Sequence, residues 1–185
     1  MASSQEPTTN HLQTLYTAYR HTPSIPTKGA LFFSPSCMQI CRPQPAYAAA
    51  DRATIVRYLH EAAASGQGLA TSATAQADDP ATFGAVPKRS FCTIRPLTES
   101  EFEFGTDDGV VNGAGFGTVK ELEERARREG WEGMRVDLWD EVQYWWRKEV
   151  DGDGEEEKWM QILHDIMYIG PRDGTEGTEG VFIKG

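Results

Sequence analysis

Hydrophobic side chains recur at helical intervals in two segments near the start of the chain. The segment 10–20 carries an apolar stripe at intervals of three and four residues, formed by Leu12, Leu15, Tyr16 and Tyr19. The segment 48–64 repeats this spacing and predicts a longer helix. Between them, the apolar run 37–42 stops at a proline and predicts a short strand. Residues 1–9 are mostly polar and predict a flexible N-terminus.

From residue 90 onward the pattern changes to that of strands. Alternating or β-rich runs predict five of them, at 90–95, 101–104, 134–139, 142–150 and 158–169. A helix is predicted among them at 119–129, because Thr118 and Glu121 have the spacing of a capping box. Helices followed by a run of strands predict a single α+β domain over 10–170, with the helices packed on one face of a curved antiparallel sheet.

Two segments lack a regular pattern. Residues 65–88 are dominated by small and polar side chains and predict a flexible loop. The alternative is a lid over a pocket, since long loops in compact domains are often functional. Residues 171–185 contain a repeated Gly-Thr-Glu sequence and predict a C-terminal tail.

The turn of the last hairpin decides which side chains face each other. Residues 151–157 are acidic and rich in glycine, as expected of a turn between the last two strands. A symmetric register about this turn pairs Arg147 with Met160 and Gln143 with His164. A slip of one residue in this hairpin would exchange the faces of one strand relative to its partner.

A second turn, of two residues at 140–141, pairs Val136 with Trp145 and completes the faces of the predicted sheet. One face is then largely apolar and consists of Met134, Val136, Leu138, Gln143, Trp145, Met160, Ile162, His164, Ile166 and Tyr168. The other face is amphipathic and aromatic and consists of Arg135, Asp137, Trp139, Tyr144, Trp146, Lys148, Trp159, Gln161, Leu163 and Asp165.

Composition and charge exclude several classes of protein. The chain has 185 residues, enough for one domain with its own core. Its net charge of −10 repels phosphate backbones, so a nucleic acid is not expected as a partner. No apolar run approaches the roughly 20 residues of a membrane span, so no membrane is expected either. Three sparse cysteines indicate a reducing compartment, and the expected location is cytoplasmic. The four histidines lie on separate predicted elements, so no metal site and no cofactor are expected.

The order of these elements resembles the NTF2-like superfamily, and within it the SnoaL-like proteins of secondary metabolism. The similarity lies in the N-terminal helices, the segment ALFFSPSCMQIC, the helix DRATIVRYLHEAA and the closing antiparallel sheet. It implies a cone-shaped α+β fold with helices lining an open cavity, and a dimer formed through the outer face of the sheet. Relatives of this kind include isomerases, dehydratases, aldol cyclases and epoxide hydrolases, besides members without catalysis.

The resemblance implies an Asp or His acid/base inside an apolar cone. His164 is the ionisable group that the predicted register places on the apolar face, and its pKa starts near 6.5, already suited to proton transfer. Gln143 would orient the ring, and Arg42 or Arg95 would hold an anionic or enolate oxygen. The expected ligand contacts are Arg42, Tyr58, Arg95, Gln143, Trp145, Met160, Ile162 and Tyr168. The competing interpretation is that His164 is a hydrogen-bonded core residue.

A register slip leads to an alternative site. Asp137, Tyr144 and Asp165 would then turn inward and replace His164. This set would suit an Asp-based enolisation with a Tyr donor, as in the steroid isomerases of the superfamily.

The expected function is cofactor-independent isomerisation, cyclisation or dehydration of a small apolar metabolite such as a polyketide. One alternative is a non-catalytic ligand carrier with the same fold. The other is a protein-interaction module that uses the face with Trp139, Trp146 and Trp159. Because interface cores are enriched in tryptophan, the same face is expected to form a homodimer.

Overall fold

The computed structural model describes residues 5–65, 91–102, 104, 108–137, 140–150, 156–169 and 181–184. The predicted loop 65–88 lies outside the described residues except for its first residue, and so do Trp139 and most of the turn 151–157. The backbone of Tyr168 is described, but its side chain is not.

The described helices follow the predicted stripes and add two short ones. They are α1 (Gln5–His21), α2 (Ile25–Phe32), α3 (Arg52–Ser65), α4 (Asp108–Gly113) and α5 (Val119–Glu129). α1 begins at Gln5, so residues 5–9 of the predicted N-terminal segment are helical. α5 has the predicted capping box, in which Thr118 and Glu121 satisfy each other's backbone N–H groups.

Six described strands form one open sheet in the order β1-β5-β4-β3-β2-β6. They are β1 (Phe33–Cys41), β2 (Phe91–Pro96), β3 (Glu132–Asp137), β4 (Asp140–Val150), β5 (Glu157–Ile169) and β6 (Val181–Lys184). β1 runs parallel to β5 and the other pairs are antiparallel, so the sheet is mixed rather than wholly antiparallel. The α+β prediction is confirmed.

Two local predictions fail. The segment predicted as a strand at 101–104 contains the end of a single 3₁₀ turn, Glu99–Glu101, and no strand is described there. The segment 181–184, predicted as part of a tail, pairs with β2 as β6.

The observed registers differ from the predicted ones. Arg147 pairs with Met160 as predicted, but an extra residue, Ile162, enters β5 between the pairs Trp146–Gln161 and Trp145–Leu163. Beyond this β-bulge the register is shifted by one. In the β3–β4 hairpin Val136 pairs with Val142 and not with Trp145, because β4 already begins at Asp140 and 140–141 is not the turn.

Each face of the sheet carries its own core. On the α1–α3 face, β-strand side chains pack against the first three helices, and they include Cys37, Met134, Val136, Tyr144, Trp146 and Ile166. On the α4–α5 face the buried cluster includes Ile40, Phe104, Val111, Leu122, Trp145, Ile162 and Leu163. The two register differences therefore exchange Tyr144 and Trp145 relative to the predicted faces.

Candidate functional site

His164 lies on the α1–α3 face and is fully buried. Its ring meets Phe33 and Tyr144 edge-on, at centroid distances of 4.8 and 5.0 Å. Nε2 lies 2.7 Å from Oε1 of Gln161 and donates to it, while Nδ1 has no partner among the described residues. Burial lowers the pKa of the imidazole to about 3, so the ring is neutral at physiological pH.

Tyr144 is the centre of an aromatic cluster that joins the sheet to α1. Its ring lies 5.1 Å from that of Tyr16 and 6.1 Å from that of Tyr19, measured between centroids. All three tyrosines are buried. Because Tyr16 and Tyr19 belong to the apolar stripe of α1, the stripe that predicted the helix also builds this wall.

Arg20 lies on the same stripe of α1, one turn beyond Tyr16, and is only 8% exposed. Its guanidinium contacts Tyr16 and lies near Cys92 and Tyr144. Nε and Nη2 are both buried, and neither has a partner among the described residues. Buried N–H groups of this kind are uncommon in native proteins, where nearly all are hydrogen-bonded.

Lys28 is a second buried cation beside Arg20, and it is only 3% exposed. Its ammonium nitrogen lies 4.9 Å from the ring centroid of Tyr19. Burial, and then the charge of Arg20, lower the pKa of the amine to about 8. Among the described residues, neither Lys28 nor Arg20 has a carboxylate partner.

The position of Lys28 follows from the local sequence of α2. Ser24 caps this helix, and its Oγ accepts from the backbone N–H of Thr27. A proline occupies the first turn, where its missing N–H costs nothing. At Gly29 a Cβ would come within 2.5 Å of Val56, so the missing side chain lets α2 approach α3 closely. Lys28, the preceding residue, is buried in the same helix.

The predicted aspartates lie on the α4–α5 face instead, away from Tyr144. Asp165 is fully buried and forms a two-pronged pair with Arg42, at 3.0 and 2.8 Å. Asp137 accepts from Nε of Arg135 at 3.1 Å. The register slips did turn Tyr144 toward α1, but they left both aspartates on the other face, so the predicted Asp–Tyr set does not come together.

Arg95 and Gln143 belong to a polar row on the α4–α5 face. Directly paired positions place Arg95, Arg135, Gln143 and Asp165 side by side across four strands. Glu101 accepts from Arg95 at 2.6 and 2.7 Å, which holds the pKa of its carboxyl well below the usual range. Gln143 is therefore not the partner of His164, and the prediction that it orients the ring is wrong.

The other predicted ligand contacts are spread over the molecule. Trp145 and Ile162 are buried in the α4–α5 core, opposite His164. Met160 is half-buried beside Arg147. The hydroxyl of Tyr58 lies 3.3 and 3.4 Å from the carbonyl oxygens of Ala46 and Ala48, so it fastens the segment before α3.

The tryptophan face predicted for a partner is not an outer face. Trp146 is fully buried under the first helices, and Trp159 packs partly buried against the same core. A homodimer stays a prediction, but Trp146 is not available to its surface.

Other parts of the described chain contain little that resembles a site. A cavity of about 230 Å³ lies between β1 and α4, where Ile40, Cys41 and Val110 line it together with small residues. Among the residues described, no three His, Cys, Asp or Glu side chains are grouped so that they could hold a metal ion. No helix in the described part of the chain is long and apolar enough to cross a membrane.

The family model for a SnoaL-like domain matches residues 1–184. The chain therefore belongs to the SnoaL-like family of the NTF2-like superfamily, as the resemblance implied. This family includes polyketide cyclases and isomerases. Comparisons with curated proteins and with solved structures gave no match.

Arg20 and Lys28 were missed by the sequence analysis, although each leaves a signal. Arg20 is a charged residue in register with an apolar stripe, and Lys28 is the single charge in the apolar helix IPTKGALF. Charged residues that are held inside a core without an opposite charge are rare, and functional sites are where they concentrate.

Proposed function

We propose that this chain is a SnoaL-like enzyme that transfers protons on a small apolar metabolite without a cofactor, with the amine of Lys28 as acid/base. The reaction would be an isomerisation, cyclisation or dehydration, since each can begin with removal of a proton from the carbon beside a carbonyl group. The site lies where α1 and α2 meet the α1–α3 face of the sheet.

The observation that carries this proposal is the burial of Lys28 without a carboxylate partner among the described residues. An amine with a pKa of about 8 is about one-tenth neutral at pH 7, whereas an exposed lysine is almost wholly charged. Catalytic pKa values near the working pH give efficient proton transfer, and lysines are tuned to this range by burial and by neighbouring charge. Both causes act on Lys28.

Arg20 supplies the complement to this base. Removal of a proton beside a carbonyl leaves a negative charge on oxygen, and a guanidinium stays positive throughout the physiological range. A fixed positive charge in a buried site stabilises such an anion more than it would in water. The rings of Tyr16, Tyr19 and Tyr144 form the apolar walls beside it.

His164 takes a different role in this proposal from the one expected of it. A neutral imidazole with a pKa of about 3 is poorly matched to proton transfer near pH 7. Its edge contact with Tyr144 and its hydrogen bond to Gln161 suit a positioning residue that holds the tyrosine wall.

The experiment is a proton-exchange assay on a panel of simple carbonyl compounds. Aromatic ketones and 1,3-dicarbonyl compounds are incubated with the protein in D₂O, and loss of the C–H signal is followed by NMR. We expect Lys28→Met to slow exchange on responsive compounds by about 100-fold or more. Lys120→Met is the matched control, because Lys120 is 84% exposed on α5, and it should retain the full rate.

Equal exchange by Lys28→Met and the unmodified protein would overturn the assignment of the base. Tight binding of panel compounds without exchange of any of them would instead favour the non-catalytic carrier.

A further inference from the structure

We infer that Arg20 is a two-pronged binding site for a planar anion with two oxygens, such as a carboxylate or the enolate of a 1,3-dicarbonyl. This inference rests on the proposed function for its location and adds the chemical class of the ligand. A metabolite that enters the site would carry this group beside an apolar or aromatic body.

The free hydrogen-bond donors of Arg20 form one edge of its guanidinium. Nε and Nη2 point side by side, and they are the two buried nitrogens without a described partner. This edge matches the two oxygens of a carboxylate in parallel hydrogen bonds, which a single ammonium group cannot do. The pattern of free donors therefore favours a two-oxygen group over a single carbonyl.

Two partly buried arginines, Arg42 and Arg95, show what Arg20 lacks. Arg42 uses Nε and Nη2 to hold both oxygens of Asp165, at 3.0 and 2.8 Å. Arg95 holds Glu101 with two nitrogens in the same manner. Arg20 offers the same edge as Arg42, but among the described residues no carboxylate meets it.

Lys28 places a second positive charge beside the guanidinium of Arg20, which favours an anion as the ligand. Two buried cations repel each other, and the charge of Arg20 contributes to the lowered pKa of Lys28. One anion between them would relieve both this repulsion and the desolvation cost. The rings of Tyr16, Tyr19 and Tyr144 make the surroundings aromatic and apolar, which suits an aromatic acid.

The test compares two probes of the same shape, 2-naphthoate and 2-naphthamide, by calorimetric titration at pH 7; the amide lacks the negative charge and has an NH₂ donor in place of one acceptor oxygen. We expect the carboxylate to bind at least 10-fold more tightly than the amide. Arg20→Met should abolish this preference. Arg20→Lys keeps the charge but removes the two-pronged edge, and it should lose most of the preference while leaving the site cationic.

Two controls keep the outcome specific. Arg57→Met removes an exposed arginine of α3 that pairs with Glu61, and it should leave the preference unchanged. Acetylacetone, whose enolate is a planar anion with two oxygens, tests the second type of ligand. Its binding should strengthen as the pH approaches its own pKa, and Arg20→Met should remove that increase.

Proton uptake on binding is an independent test of whether the anion lies beside Lys28. An anion bound beside Lys28 raises the pKa of the amine, so binding of 2-naphthoate at pH 8.5 should take up protons from the buffer. Calorimetry in two buffers with different ionisation enthalpies measures this uptake, which should vanish in Lys28→Met. Absence of uptake in the unmodified protein would count against the placement of the anion.

The inference is overturned if the amide binds as tightly as the carboxylate, or if Arg57→Met changes the preference as much as Arg20→Met. Failure of the proposed function gives a different result. A carboxylate preference that depends on Arg20, with no proton exchange on any compound, would support the anion site and exclude the proposed enzymatic function. Proton exchange that depends on Lys28, without a carboxylate preference, would exclude the anion site and leave the proposed function standing.

Discussion

His164 donates a hydrogen bond from Nε2 to Oε1 of Gln161, 2.7 Å away and three residues earlier on the same strand. Residues three apart in a regular strand point to opposite faces. Here the extra residue Ile162 places both side chains on the α1–α3 face. Gln161 pairs with Trp146 on the neighbouring strand, and His164 pairs with Tyr144. The bulge therefore gives the buried imidazole its partner and seats it against Tyr144.

Acid should destabilise the protein through His164. The pKa of this imidazole is about 3 in the folded chain and near 6.5 when unfolded. Between these values the unfolded chain binds a proton that the folded chain does not, so the free energy of unfolding decreases as the pH falls from about 6.5 toward 3. The slope should approach about 1.4 kcal/mol per pH unit.

Urea denaturation at several pH values between 7 and 4 measures this slope. His164→Gln should be less stable than the unmodified protein at pH 7 but should show a flatter dependence on pH. His60→Gln replaces an exposed histidine of α3 and should keep the original slope. An unchanged slope in His164→Gln would show that the imidazole is not the group responsible.

Lys28→Met should stabilise the protein while it removes the proposed activity. Methionine has a similar length and avoids burying a charge, so we expect a gain of about 1 kcal/mol at pH 7. The gain should shrink as the pH rises from about 8 to 10.5. In that window the unfolded chain binds more protons at Lys28 than the folded chain, and the unmodified protein therefore becomes more stable.

Thermal or chemical unfolding at pH 7 and pH 10 measures this difference. A loss of stability in Lys28→Met at pH 7 would indicate that the amine is held by favourable contacts, contrary to the proposed site.

The pair of Arg42 and Asp165 should act as a unit. Removal of one partner leaves a buried charge without compensation, so Arg42→Met should cost about 3 kcal/mol. Replacement of both, as Arg42→Met with Asp165→Leu, should recover most of this loss. Equilibrium unfolding of the two single variants and the double variant gives the coupling free energy. A double variant as unstable as the sum of the single ones would exclude the coupling.

Local signals in the sequence were enough to predict some of this structure. The capping box of Thr118 and Glu121 is a four-residue feature, and α5 begins where it predicts. The stripe of α1 and the strand patterns likewise depend on near neighbours. The SnoaL-like α+β fold follows from the order of such elements, and it is confirmed.

The registers could not be obtained in this way, because they depend on contacts between distant segments. The extra residue Ile162 in β5 leaves no sign in a β-rich run, yet it decides the faces of His164 and Gln143. Similarly, Asp140 and Glu141 look like a turn but begin β4. Arg20 and Lys28 come together from two different helices, α1 and α2, so their proximity is a tertiary contact that local patterns do not predict. The structure therefore departs from the sequence-based prediction more at the candidate site than in the fold.

The most direct measurement is the pH titration of the Lys28 amine by ¹⁵N NMR, with the signal assigned by its absence in Lys28→Met. We expect a pKa of about 8 and a partial increase in Arg20→Met, because the neighbouring charge is removed while the burial, the larger cause, remains. A Lys28 amine that titrates near 10.5 in the unmodified protein would contradict its role as the acid/base of this site.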